Sequence, residues 1–182
     1  MADTSRWTTE IDKVTESVRN EFGILTGEQL NAKPSPEQWS IAQCLDHLIV
    51  INETYYPIIK QLHEKTFKLP IAGTLGFYVK WMGNFILKYV GPDRSKKMKT
   101  QSIWEPSAST IDADIVQKFE KHQQQLKQHI QSCANFIDSG VVIYSPASKI
   151  IVYTLEQAFN IIVAHEKRHL NQAREVLTHI SN

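Results

Sequence analysis

Cysteine is nearly absent from this chain: Cys44 and Cys133 are the two in 182 residues. Each falls inside an apolar helical pattern where a small buried thiol fits, which argues against a disulfide scaffold. A charge excess is also missing, since Lys plus Arg total 20 against 19 for Asp plus Glu. A phosphate-binding surface usually needs such an excess, so nucleic acid is not an expected partner. The first ten residues, Met1 to Glu10, are polar and lack the apolar core of a secretory signal, which predicts a cytoplasmic protein. No uninterrupted membrane-length apolar run occurs either. Leu69 to Val90 comes nearest, but Pro70, Lys80, Asn84, Lys88 and three glycines break it, so a membrane span is not expected. Gly-rich phosphate loops and a Gly-x-Ser-x-Gly nucleophile elbow are absent as well.

What is present is helical period. A length of 182 residues suits one domain over 1–182 with enough interior to fold without crosslinks. Trp7, Ile11, Val14, Val18 and Phe22 recur at steps of three and four and define helix one. After a connection holding Gly27, Pro34 and Pro36, Ser40 with Gln43 forms a capping-box signature, so helix two starts near Ile41. Its stripe runs through Cys44, Leu45, Leu48, Ile51, Tyr55, Ile58 and Leu62 to about Phe67, with Pro57 a point of kinking. Phe77, Trp81, Phe85 and Tyr89, spaced by four, mark a further aromatic-rich helix packed on the bundle or on a second subunit, with a pocket lid as the alternative.

Gly91 to Thr110, with its prolines, serines, Arg94, Lys96, Lys97 and Lys99, reads as an exposed connection. Ile115, Phe119, Leu126, Ile130, Cys133 and Ile137 outline helix three, ended by Ser139 and Gly140. Thr154 with Gln157 caps helix four, whose stripe includes Leu155, Ala158, Ile162, Val176 and Ile180. Val141 to Tyr144 and Ile150 to Tyr153 are β-prone, but Pro146 and Ser148 between them favour an extended connection over a sheet. The expected architecture is all-α: an up-and-down four-helix bundle with an additional aromatic-rich helical segment between helices two and three.

Within the helix-four stripe, Ile162 is followed by His165, His169 and Gln172. Residues four apart share a helix face, so both imidazoles can reach one point, as a chelate requires. Buried without partners, their nitrogens would cost roughly 1 to 3 kcal/mol each, whereas a metal uses both lone pairs. His47, on the broad stripe of helix two between Cys44 and Ile51, is the best third ligand. A lone inward histidine is more often hydrogen-bonded in a core, and it is the combination across two helices that points to Zn, Ni, Fe or Cu. His63, His122, His129 and His179 lie beside charged or glutamine-rich stretches, where a surface position is the default, although His122 also falls on the helix-three stripe. Cys44, one turn before His47, would be a fourth ligand only if the site were closed and structural.

Residues 165–169 also spell H-E-x-x-H, in which a glutamate serves metalloproteases as general base. The continuation that one protease class needs is missing, for Gln172 and Glu175 stand where glycine and histidine belong, and only thirteen residues follow His169. Glu166 is therefore expected on the helix surface, with a catalytic or ligand-orienting role as the minor reading. Gln172 joins it as a candidate to orient water or substrate.

Pro34, Trp39-Ser40 opening a helix, His47-Leu48, and Thr154-Leu155 opening a last helix with His165, His169 and Gln172 together resemble the DinB-like (DinB/YfiT-like) superfamily of metal-dependent enzymes. The resemblance covers nearly the whole chain. It implies an up-and-down four-helix core and a three-histidine site at His47, His165 and His169, holding nickel or zinc. Relatives of that kind include thiol S-transferases using bacillithiol or mycothiol, thiol-dependent isomerases and hydrolases. The resemblance thus suggests a small-molecule substrate, a low-molecular-weight thiol as a possible cofactor, and transfer or hydrolysis as the reaction, and fold alone does not choose between them. Arg94, Lys96, Lys97 and Lys99 are candidates to meet a carboxylate-bearing thiol. A non-enzymatic module, with the aromatic segment contacting a partner or a second copy in a homodimer, is the third reading.

Overall fold

A computed structural model describes residues 1–91 and 104–180. Helix α1 (Ser5–Phe22) buries Trp7, Ile11, Val14, Val18 and Phe22, the five residues its period singles out. A short α2 (Gly27–Asn31) follows, opened by a Thr26/Gln29 capping box; five residues are too few to show a period. Helix α3 (Ile41–Glu53) starts at the expected box, with Ser40 Oγ accepting from Gln43 N and the Gln43 side chain returning to Ser40 N.

The second stripe is two helices rather than one kinked helix. The chain turns at Thr54 and Tyr55, and Pro57 lies in the first turn of α4 (Tyr56–His63), where its missing N–H costs no hydrogen bond. A 3-10 turn (Ile71–Thr74) leads into α5 (Gly76–Val90), the aromatic helix. Helix α6 (Ile115–Ser132) breaks at Cys133 before the short α7 (Ala134–Asp138), and Gly140 takes the left-handed φ of +65° beyond it. Helix α8 (Leu155–Ile180) runs unbroken from its Thr154/Gln157 capping box.

One expectation is overturned. Val142–Ser145 (β1) and Ser148–Thr154 (β2) pair antiparallel, with Val142 opposite Thr154 and Tyr144 opposite Val152. Pro146 and Ala147 form the two-residue connection, so the proline is the turn and not a barrier to pairing; outside the ladder it has no N–H to lose. The hairpin buries Ile143, Val152 and Tyr153, and Leu155 N donates to Val141 O, fastening the strands to the start of α8.

The four-helix core is as expected. Its main packing runs from α1 to α6, α6 to α3, α3 to α8 and α8 back to α1, an order of neighbours that period alone does not reveal. Helix α5 lies outside this ring against α8 and β2. Two apolar blocks fill the interior. Trp7, Ile11, Ile58, Leu126 and Phe159 belong to one, and Val18, Phe22, Leu45, Phe119 and Val176 to the other. Between them every helix of the four-helix core except α1 carries buried polar side chains: His47 and Asn52 on α3, His122 and Gln123 on α6, Glu166, Arg168 and His169 on α8.

Candidate metal centre

The α3–α8 contact brings the three predicted histidines together: one ring nitrogen from each of His47, His165 and His169 lies within 4.8 Å of the others. His47 is 2% exposed and His169 7%, while His165 is half-buried at the cavity wall. The Nε2 atoms of His165 and His169 face one another at 3.1 Å. With one ring as its Nε2–H tautomer the pair is a hydrogen bond; with both as Nδ1–H tautomers the two lone pairs converge, and a cation between them would satisfy both.

His47 gives the sharper test of fit. Its Nδ1–H donates to the carbonyl of Trp104, which fixes the tautomer and leaves Nε2 as a bare lone pair. That buried Nε2 has no hydrogen-bond partner among the described residues. A carbonyl behind one ring nitrogen and an unsatisfied lone pair in front is how a histidine ligand is held. Burial lowers the pKa of His47, against the opposing pull of the Trp104 carbonyl and Asp46. Burial, with His47 and the Arg168 guanidinium, takes His165 down to about 3. Both rings are therefore neutral at physiological pH, the form a metal needs.

Helix α3 also holds the chain segment over this cluster. Gln43 Nε2 donates to Ala108 O at 3.2 Å, and Asp46 accepts from Ser107 N at 2.6 Å. Trp39, just before the helix cap, stacks on His169 with centroids 5.7 Å apart and tilts against His47 at 4.9 Å. The sequence marks Trp39 as part of a motif but not as the ring that packs on two of the three histidines.

A cavity of about 1100 Å³ opens in front of the cluster. Phe85 and Tyr89 of α5 wall one side, Tyr153 of β2 another, and Arg168 and Gln172 stand beside the histidines. Arg168 is 9% exposed and donates to Gly91 O, a buried cation that the sequence hides inside the charged run Glu166-Lys167-Arg168. Arg94, Lys96, Lys97 and Lys99 lie outside the described residues.

Glu166 is not on the surface. It is fully buried, accepting from Asn52 Nδ2 and Gln123 Nε2 at 2.9 Å each. Its carboxylate does not line the cavity, although Asn52 does. Burial raises its pKa to about 7 against those two hydrogen bonds. His122 also leaves its expected surface place: it is 3% exposed, 3.4 Å from both Asn52 Nδ2 and the Tyr56 hydroxyl, with its pKa lowered to about 4, first by burial and then by His129. His63 and His179 are exposed, as predicted, and His129 is half-buried beside Tyr56. Cys44 is buried among apolar neighbours and does not join the cluster.

Fold and site together define a helical bundle with a pocketed three-histidine cluster. The chain belongs to the DinB superfamily, whose family model matches residues 10–173. It is 34% identical over 158 residues to the uncharacterized protein YuaE of Bacillus subtilis (strain 168), an alignment covering 86% of this chain and 88% of YuaE. Among solved structures it is similar to YfiT from Bacillus subtilis, described as a probable metal-dependent hydrolase with an unusual four-helix bundle topology. That superposition has a TM-score of 0.64 at 15% identity and covers 98% of this chain and 87% of YfiT, a likeness of fold.

Proposed function

We propose that this chain is a metal-dependent enzyme acting on a small molecule, with His47, His165 and His169 holding one divalent transition ion, nickel or zinc. The carrying observation is the buried lone pair of His47 Nε2, aimed at two histidines whose own nitrogens face each other. When bound, such an ion lowers the pKa of a thiol that meets it; the thiolate's electron pair then forms the new C–S bond as the electrophile's leaving group departs with its own. Thiol S-transfer, with a bacillithiol- or glutathione-like cofactor, is the leading reading because the wall, which also carries Glu37 and Glu105, sets two cations beside apolar surface. Arg168 and Lys33 suit the carboxylates of such a thiol, while Phe85 and Ile86 suit an apolar electrophile and exclude water from it. Gln172, on the cavity wall, would orient the reacting group, and Glu166 would act at one remove by fixing the amide of Asn52. A cytoplasmic location agrees with a thiol cofactor kept reduced.

Hydrolysis is the second reading, favoured by the fold shared with YfiT and its description. Gln172 would then orient water. Metal analysis of tag-free protein comes first: one equivalent in wild type, and none in His47→Ala or His169→Ala, is the expected result. Turnover of a small electrophile is then measured with and without added thiol. Turnover that needs thiol supports transfer; turnover without it selects hydrolysis. Wild type that takes up neither nickel nor zinc on titration rejects the metal site.

A further inference from the structure

Large hydrophobic side chains in solvent are concentrated on one face. Of the ten among the described residues, eight lie between Leu69 and Tyr89 or at Ile150 on the hairpin, with Ile71 86% and Phe77 80% exposed. Along α5 the rings of Trp81, Phe85 and Tyr89 stack in series at 5.6 Å. The opposite side of the helix is anchored. Val79 and Gly83 are buried, and Gly83 sits so close to the Gln157 side chain that an added Cβ would lie 2.3 Å from it. Tyr78 Oη donates to Ile150 O, joining the hairpin to the same surface.

Charge along the segment that carries α5 is of one sign. Residues 65–90 contain Lys65, Lys68, Lys80 and Lys88 and no Asp or Glu, in a chain whose totals are 20 and 19. Lys149 adjoins Ile150. Lys65, Lys68, Lys80 and Lys88 are exposed, and none forms an ion pair among the described residues. Two copies meeting here by a twofold axis would set lysines against lysines with no carboxylate between them. Exposed aromatics fringed by lysine instead match the interfacial zone of an anionic bilayer, where rings sit at headgroup level and ammonium groups meet lipid phosphates.

We propose that this face docks on a negatively charged phospholipid surface, with α5 lying in the headgroup plane. No described helix is long and apolar enough to cross the bilayer, so the attachment is peripheral. Phe85 and Tyr89 also line the histidine cavity, so docking sets the cavity mouth at the lipid boundary.

The test is flotation of the full chain with phosphatidylglycerol-rich and with pure phosphatidylcholine vesicles, at low and high salt, beside light scattering of the protein alone. Binding to the anionic vesicles, weakened by salt, is expected. Lys80→Gln with Lys88→Gln should weaken it ~30-fold at about 1 kcal/mol per lysine. Phe77→Ser with Trp81→Ser, both exposed and outside the two apolar blocks, should abolish it while the far-ultraviolet circular dichroism of the chain is kept. His47→Ala should bind as wild type does, which separates this face from the metal site. Wild type that stays unbound at low salt, or that binds neutral vesicles equally, overturns the proposal. So does a dimer that Phe77→Ser with Trp81→Ser dissociates, which would give the face to a second copy.

Discussion

Two groups of buried polar residues lie between the apolar blocks, and they differ in how far they satisfy themselves. Glu166, Asn52, Gln123 and His122 bond mainly to one another: both carboxylate oxygens accept from amides, the imidazole lies within reach of Asn52 and Tyr56, and Gln123 Oε1 is left without a partner among the described residues. The histidine group next to them, carried by the same helices α3 and α8, leaves His47 Nε2 bare and sets two imidazole nitrogens against each other. His47 and His169 are buried as the members of the other group are, and His165 is half-buried, so burial alone does not distinguish support from function. The distinguishing property is convergence: a lone amide oxygen, Gln123 Oε1, goes without a partner in one group, whereas three ring nitrogens within 4.8 Å of one another face a common point in the other.

The largest effect should come from the open group. His47→Ala or His169→Ala should weaken metal binding by more than the ~100-fold that loss of a residue behind a ligand costs. In thermal melts, metal at a hundred times its Kd should stabilise wild type by about 2.7 kcal/mol and leave either variant unmoved. Equal stabilisation of the variants would erase the distinction between the groups.

Next in size is the closed group. Glu166→Ala leaves two buried amides without an acceptor, at about 1 to 3 kcal/mol each, so urea unfolding of metal-free protein should show a loss of about 3 kcal/mol. The variant should keep one equivalent of metal. Loss of metal with unchanged stability would move Glu166 from scaffold to site.

The smallest effect is set by pH and separates His122 from its neighbours. Its folded pKa of about 4 lies below the ordinary 6.5, so the unfolded chain binds the extra proton first. Stability linked to His122 is complete above 6.5 and is lost as pH falls toward 4, roughly 2 kcal/mol of it by pH 5. His122→Phe should show a flatter stability profile through that range, and an identical slope would mean that the ring is charged in the fold.

The open group was legible because all three histidines interrupt apolar stripes, and a stripe is what periodicity detects. Glu166 was not. It lies one residue round the helix from His165 and is followed by Lys167 and Arg168, which together imitate a solvated face. Helix α8 packs on α1, α3 and α5, so more than one narrow stripe is covered, and the extra width buries Glu166 and Arg168. His122 gave a partial signal, since it and Gln123 fall between Phe119 and Leu126 on a face that is otherwise core. The hairpin was hidden by treating Pro146 as an interruption when it occupied the turn, and the break at Thr54 and Tyr55 was hidden by a hydrophobic pattern that continues through it.

Helix α8 is the longest of the three helices, with α1 and α6, that pass through both apolar blocks without a break, about 39 Å at 1.5 Å per residue. Its hydrophobic residues from Leu155 to Val163 belong to one block and those from Leu170 to Val176 to the other, so together with α1 and α6 it couples the two regions. An ion held between α3 and α8 would sit at the seam between those regions. Its loading would then register in amide exchange at both ends of the bundle, far from any atom it touches.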